Sequence, residues 1–355
     1  MDEYRLDGHK LMLHPGRVAD WLEGENIAPL YLEISPSGAC NHRCRFCGLD
    51  FMGYKPRFLP ADVLKGRFGE MSAAGLKAVM FAGEGEPFLH RDMGRMAQEA
   101  KAAGLDVAFT TNAVNLRPGA AEAVLPVSSW IKVSCNAGTA KTYAWVHGTG
   151  EGDFGRMLAN MENAAALRQK EGYACTLGFQ MLLLPENRAE AAELAKTVRD
   201  LGADYLVVKP YSQHPQSRTR EYADLAYTNL EELAQELGEL NRDGFSVIMR
   251  HKTMERLREG RKNYGRCLAL PFWSYLDAGG GLWGCLDFLG DERFAYGNIL
   301  ESSFSEIWNG AKRRESLAWC EAHFDVRECR LVCRMDSVNA YLWRLRHADG
   351  HDKFI

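Results

Sequence analysis

Cys40, Cys44 and Cys47 stand in a C-x3-C-x2-C spacing within residues 36–48, which read Pro-Ser-Gly-Ala-Cys-Asn-His-Arg-Cys-Arg-Phe-Cys-Gly. The loop is flanked by glycine and follows the apolar run from Leu30 to Ile34. Three thiolates this close can wrap one soft metal centre, and thiolate is the usual ligand of iron–sulfur clusters and of zinc. A four-iron cluster normally takes four cysteines, so three suggest one iron left open for a substrate or cofactor to bind directly. A zinc knuckle needs a fourth ligand, and His42 is too close in sequence to Cys40 and Cys44 to serve easily. A disulfide is disfavoured in a chain that shows no secretory context.

Five further cysteines follow late in the chain: Cys267, Cys285, Cys320, Cys329 and Cys333. In a reducing compartment such grouping is more naturally metal ligation than crosslinking. Cys267-x12-Gly280-x4-Cys285 fits a hairpin that returns Cys285 beside Cys267. Cys329-x3-Cys333 is expected on a helix, with both thiolates on one face. Cys267, Cys285, Cys329 and Cys333 would together close a fully ligated four-iron cluster, and a zinc ribbon stays open on spacing alone.

With aromatic Phe46 before its last cysteine, the first loop resembles the cluster loop of the radical S-adenosylmethionine (SAM) enzymes. The resemblance implies an open iron that chelates the amino and carboxylate groups of SAM. It further implies that a cluster electron cleaves SAM to methionine and a 5′-deoxyadenosyl radical, which abstracts a substrate hydrogen. The later cysteines resemble the SPASM and twitch extensions of that family, which carry auxiliary clusters. The SPASM spacing C-x2-C-x5-C-x3-C survives here only as Cys320-x2-His323-x5-Cys329-x3-Cys333, so one auxiliary cluster is the better fit. Cys320 is then spare, or a fourth ligand in place of one of the pair. The resemblance covers roughly residues 30–335.

The elements that must position these loops are legible as alternation. Apolar runs near 30–35, 77–82, 106–110, 130–135, 175–183 and 205–209 read as strands, and amphipathic stretches near 61–74, 92–103, 118–124, 154–170 and 187–201 as helices. Several helices end near glycine, at Gly75, Gly104, Gly172 and Gly202. Six such units suit an α/β fold with an open, partial (β/α)6 barrel, which the resemblance also implies, followed by a small C-terminal auxiliary-cluster domain. The expected organisation is a lead-in over 1–29 with a helix from Arg17 to Glu23, the barrel over 30–215, and a bridging helical segment over 216–260. The auxiliary domain follows over 261–340, and a tail over 341–355.

In such sheets ligands sit at the carboxyl ends of the strands. The second strand runs into Gly83-Glu84-Gly85-Glu86-Pro87, which resembles the family's G-G-E-P motif for the SAM amino group. By that match Gly85, Glu86 and Pro87 are cofactor residues, with Glu84 a weaker candidate because the two adjacent glycines are not both present. Thr111 and Asn112 end the third strand and Ser134 and Asn136 the fourth, at positions resembling the family's cofactor-binding polar residues. These can equally be caps or turn formers. Strand alternation puts Cys135 on the opposite face from Ser134 and Asn136, which reads as core filling rather than as a hydrogen-atom donor.

Gln180 on the fifth strand and Lys209, Tyr211, Gln213 and His214 after the sixth fall where cofactor and substrate meet. A lysine closing the strand Tyr205-Leu206-Val207-Val208 needs a partner or a ligand if buried. Lys209 and His214 are the candidate catalytic groups, and Tyr211 and Gln213 the substrate shelf; an exposed lysine before a polar turn is the plainer reading. Such a shelf suits a hydroxyl-rich small molecule. Gln180 to Asn187, Lys209 to His214 and Cys333-Arg334-Met335-Asp336 resemble radical SAM/SPASM proteins associated with surface-polysaccharide sugars. The resemblance therefore implies an oxidoreductase acting on a sugar, sugar nucleotide or cyclitol by dehydrogenation or epimerisation, fed by a donor such as flavodoxin or ferredoxin. Modification of a ribosomally made peptide, or a non-enzymatic metal-binding scaffold, are the other readings.

Bulk properties exclude other classes. Hydrophobic content of 46% and charged content of 25% are ordinary for a chain able to bury a full core. A net charge of −4 argues against nucleic acid bound through a broad basic surface. The opening Met-Asp-Glu-Tyr-Arg has no apolar signal region and no run approaches a membrane span, so the expected compartment is cytoplasmic.

Overall fold

Leu32 and Ile34 are fully buried on one face of the strand β1 (Tyr31–Ile34), while Tyr31 and Glu33 point to the other. The same division repeats across β2 (Ala78–Phe81), β3 (Asp106–Thr111), β4 (Ser128–Ser134), β5 (Thr176–Leu183) and β6 (Tyr205–Pro210). Val79, Phe81, Phe109, Ile131, Phe179 and Leu206 join the core under the helices. The opposite faces turn into a lumen, which is why the strands carry polar residues there. This structure, a computed structural model, describes residues 4 and 6–354.

The strands follow the expected βα alternation, with helices at Ala61–Ala73, Met93–Ala102, Pro118–Val124, Gly152–Glu171 and Ala191–Asp200. A lead-in helix runs over Pro15–Leu22. Four-residue β7 (Ser246–Met249) lies parallel to β6, inside the stretch expected to be a helical bridge. Its short apolar run sits between the helices Glu231–Gly238 and His251–Glu259, whose stronger periodicity masks it. After it come β8 (Trp273–Leu276), β9 (Gly281–Trp283) and β10 (Ala295–Asn298).

All ten strands form one sheet in the order β10-β9-β8-β1-β2-β3-β4-β5-β6-β7. β8 pairs parallel to β1, with Tyr31 opposite Trp273, and then turns back as the expected hairpin with β9. The C-terminal segment thus extends the parallel sheet at its β1 edge and ends it in antiparallel strands. At the bottom of the lumen Tyr4 and Leu6 pack on Tyr205, Val207 and Ile248, with the Tyr4 and Tyr205 rings 4.9 Å apart. No helix among the described residues is long and apolar enough to cross a membrane.

Candidate active site and the second cysteine cavity

Cys40, Cys44 and Cys47 are half-buried and free, on the loop that leaves the carboxyl end of β1. Burial pushes the Cys40 thiol up to about 12, with Glu86 and Cys47 adding to the rise. Burial and the two other cysteines push Cys44 well above its usual value. Three thiolates that repel one another in a half-buried loop fit a shared cationic centre, the donor set of an open-sited iron–sulfur cluster. Tyr54, in the left-handed region at φ 51°, brings its hydroxyl to Cys47 and its ring under Arg43, 4.2 Å from the guanidinium carbon.

A helix that the sequence reading did not contain, Ala140–His147, docks this loop. The Thr139 hydroxyl caps it, and the Glu190 carboxylate accepts from Gly138 N, Thr139 N and the hydroxyls of Thr139 and Thr142. Its last carbonyls accept from the cysteine loop, Arg43 N to His147 O and Arg45 N to Val146 O, both at 3.0 Å. Gly148, at φ 57°, lies so close that a Cβ there would sit 2.2 Å from Arg43 O.

His147 is a candidate site residue that the sequence did not announce. Asn136 N donates to its Nε2 at 3.1 Å, so the ring proton belongs on Nδ1, which faces Cys44 Sγ at 3.4 Å. Burial, and His42 beside it, hold the imidazole well below its usual pKa, so it is neutral and donates one N–H to the Cys44 sulfur. Ligand atoms of His42, Cys44 and His147 lie within 4.8 Å of one another. His42 Nε2 is engaged by Asp153 Oδ2 at 3.3 Å, and a metal on these three would leave Cys40 and Cys47 without a role.

The turn after β2 backs the loop from the other side. Glu86 N donates to Ala39 O at 2.8 Å, and a Cβ on Gly85 would meet Ala39 O at 2.2 Å and Ser37 O at 2.3 Å. Glycine there is a condition of the contact. The buried Glu86 carboxylate accepts from the Thr111 hydroxyl (2.5 Å), Asn112 N (2.8 Å) and Phe88 N (3.1 Å). Three of about four acceptor positions on a carboxylate are therefore engaged within the protein, leaving about one for a ligand. Glu84 is committed as well, to Arg57 Nη2 (3.0 Å) and Ala278 N (2.8 Å). Asn112 Nδ2 reaches Asn41 Oδ1 at 2.8 Å, tying the end of β3 to the cysteine loop.

The lumen holds a cavity of about 450 Å³ at the carboxyl ends of the strands. Phe46 and Gly48 of the cysteine loop form one wall, and Thr110, Lys132, Gln180, Lys209 and Tyr211 contribute polar surface. Ser134, half-buried, pairs in register with Gln180. Several expected site residues do not line this cavity: Gly85, Glu86, Pro87, Thr111, Asn112, Ser134 and Asn136 of the cofactor positions, and Gln213 and His214 beyond β6. Asn136 is buried and joins the ends of β4 and β5, its Oδ1 accepting from Leu182 N at 2.5 Å. Gln213 accepts from the Tyr211 hydroxyl (3.0 Å) and donates to backbone carbonyls. His214 is buried against Gly48 and Phe51, with Nε2 3.2 Å from Asp287 Oδ1, and does not face the cavity. The chain turns inward after Pro210, so strand parity no longer predicts which side chains face the lumen. Cys135 is fully buried on the helix side.

Cys267, Cys285, Cys329 and Cys333 line a second cavity, walled by Tyr264, Phe288, Phe294 and Phe324, and Cys333 also borders the barrel cavity. Cys320 is buried in the same apolar cluster but does not line it. Cys329 and Cys333 lie on a loop, not a helix, between the turn Val326–Glu328 and the helix Asp336–Arg346. The neighbouring Cys329 holds Cys333 below its usual pKa, with Arg330 and Lys262 favouring the thiolate. Burial pushes Cys267 up to about 12. Four sulfurs converging in an aromatic pocket fit a fully ligated four-iron cluster.

The radical SAM superfamily model matches residues 34–198. The chain is similar to a GTP 3′,8-cyclase of Rhizobium leguminosarum bv. trifolii (strain WSM2304), 28% identical over 207 residues, 56% of this chain and 57% of the relative. It is similar to an S-adenosylmethionine-dependent nucleotide dehydratase of Lacinutrix mariniflava, 30% identical over 103 residues, 28% of this chain and 21% of the relative. The match thus spans little more than half the length of the first relative. Among solved structures it resembles Streptococcus suis SuiB bound to S-adenosylmethionine, with TM-score 0.61 and 19% identity over 85% of this chain and 70% of that one. Native anSMEcpe with bound AdoMet aligns with TM-score 0.59 and 15% identity over 88% and 89% of the two chains. At these identities the structural likeness concerns the fold.

Proposed function

Because residues 34–198 form a radical SAM domain, we propose that this enzyme abstracts a hydrogen atom from a polar small molecule held in the barrel cavity. Cys40, Cys44 and Cys47 would hold the cluster, which with SAM supplies reductive cleavage of a carbon–sulfur bond and a carbon-centred radical. The cavity that opens between Phe46, Gly48, Gln180 and Lys209 carries this reading. It brings the cysteine loop and polar strand ends to one space, within the range of about 300–1,000 Å³ usual for small ligands. Gln180 and Tyr211 would orient hydroxyl groups and Lys209 would supply a cation, above the packed Tyr4 and Tyr205 rings.

The substrate we favour is a sugar, sugar nucleotide or cyclitol, oxidised or epimerised. The relatives named for GTP and for nucleotides support a substrate of nucleotide type. Cys267, Cys285, Cys329 and Cys333 would hold an auxiliary cluster, whose chemistry is electron acceptance or relay. A reducing protein such as flavodoxin or ferredoxin is the expected partner.

The test is anaerobic turnover with SAM and reductant against sugars, cyclitols and sugar nucleotides deuterated at each ring carbon. Deuterium appearing in 5′-deoxyadenosine identifies the substrate and the carbon attacked. Coupled turnover with a precursor peptide alone would replace the sugar reading, and absence of SAM cleavage under strong reductant would leave only a metal-binding scaffold.

A further inference from the structure

Among the described residues, six cationic side chains line the barrel cavity against one carboxylate, that of Asp336. Four of them are arginines with carboxylate partners. Arg334 pairs with Glu33, Arg330 with Asp287 at 3.1 Å, Arg256 with Asp336 at 2.9 Å, and Arg250 with Asp7 at 3.8 Å. The remaining two, Lys132 and Lys209, have no hydrogen bond or ion pair with any described residue. Among the described residues the Lys132 ammonium faces the Trp130 ring, 5.3 Å away.

These two lysines rise from β4 and β6 on either side of Gln180 of β5. Lys132 is in register with Gly178 and Lys209 with Leu182, so Gln180 lies between them along the strand. Lys132 stands two residues inside the end of β4, about 7 Å below the rim at the usual rise per residue. Burial and the nearby arginines lower both amines from their ordinary values; Lys132 adds to the shift at Lys209, and Glu33 opposes it at Lys132. An unpaired cation in a half-buried wall is costly unless a ligand completes it.

We propose that Lys132 and Lys209 are the binding site for a phosphate-type dianion, which makes the substrate a phosphorylated small molecule such as a sugar phosphate or nucleoside diphosphate sugar. The inference rests on the hydrogen-abstraction reading above and names its substrate class. The SAM carboxylate is the other oxyanion this cavity can meet. It brings one negative charge to two ammonium groups, and the deep position of Lys132 favours a separate, more highly charged tail.

The test uses the anaerobically reconstituted protein and titration calorimetry with inorganic pyrophosphate and, separately, with SAM. Lys132→Met and Lys209→Met should each weaken pyrophosphate binding at least tenfold, and the double variant at least a hundredfold. Lys209→Arg should stay within threefold of the native affinity, which separates lost charge from lost fold. SAM affinity should change less than twofold throughout. No pyrophosphate binding to the native protein, or equal binding in the double variant, overturns the proposal. A tenfold loss of SAM affinity in the double variant also overturns it, since the lysines would then serve SAM. SAM cleavage without substrate, measured in parallel, reports on the enzyme reading independently of these affinities.

Discussion

His214 Nε2 lies 3.2 Å from Asp287 Oδ1, and this buried pair joins the two cysteine sites. His214 packs against Gly48, next to Cys47, while Asp287 accepts from Arg330 at 3.1 Å and from the Cys329 thiol at 3.7 Å. His214 Nδ1 accepts from Gln216 N at 3.2 Å, so the neutral ring carries its proton on Nε2, the nitrogen that faces Asp287. Burial alone would raise the Asp287 pKa, but Arg330 and the His214 hydrogen bond outweigh it and hold the carboxylate down at about 2. Asp287→Ala would leave the half-buried Arg330 without its carboxylate, at a cost of about 1–3 kcal/mol. Urea denaturation should show that loss, together with weaker iron retention at the second site.

Iron content tests the two cysteine sites. The reconstituted native chain should hold about eight irons, and a Cys40/Cys44/Cys47→Ala variant about four, by the ligation expected of two four-iron clusters. Because Cys320 does not line the second cavity, Cys320→Ser should keep the native count. A fall to four in Cys320→Ser would make it a ligand.

The His147 Nδ1–H to Cys44 contact favours the more negative, reduced state of anything bound to that sulfur. His147→Phe should lower the reduction potential of the first site by about 60 mV, the one-electron equivalent of about 1.4 kcal/mol. Redox titration followed by electron paramagnetic resonance reads this directly, and an unchanged potential would reduce His147 to packing.

Gly85→Ala should uncouple the β2 turn from the cysteine loop. Its Cβ would meet Ala39 O at 2.2 Å, a backbone atom that cannot rotate away. Overpacking of this kind costs about 1–3 kcal/mol. The expected signature is selective: iron lost from the first site and kept at the second.

Burial, with Arg334 and Arg250 nearby, lowers Lys132 from 10.5 to about 7. A folded-state value below the unfolded one means a penalty fully present below about pH 7 and relieved as pH rises toward the unfolded value. Native stability should therefore rise from pH 7 to 9 relative to Lys132→Met, by at most about 1.4 kcal/mol per pH unit. Denaturation at the two pH values checks the sign, and saturating pyrophosphate should flatten the rise by recharging the amine.

By itself the sequence determined what rests on local pattern. The cysteine triplet, the six strand–helix units and the hairpin that returns Cys285 to Cys267 follow from spacing, periodicity and glycine placement, which neighbours along the chain enforce. Lys209 was legible as an anomaly because a charge at the end of an apolar strand is conspicuous. Tertiary structure decided what depends on partners distant in sequence. Arg334 is neutralised by Glu33 and Asp287 joins His214 to Arg330, whereas Lys132 and Lys209 gain no ion-pair partner among the described residues. His147 shows no signal in its own segment, since its role exists only once Asn136 fixes its tautomer against Cys44. Charge pairing and tautomer are settled by contacts that only folding creates, so no local pattern could have announced them.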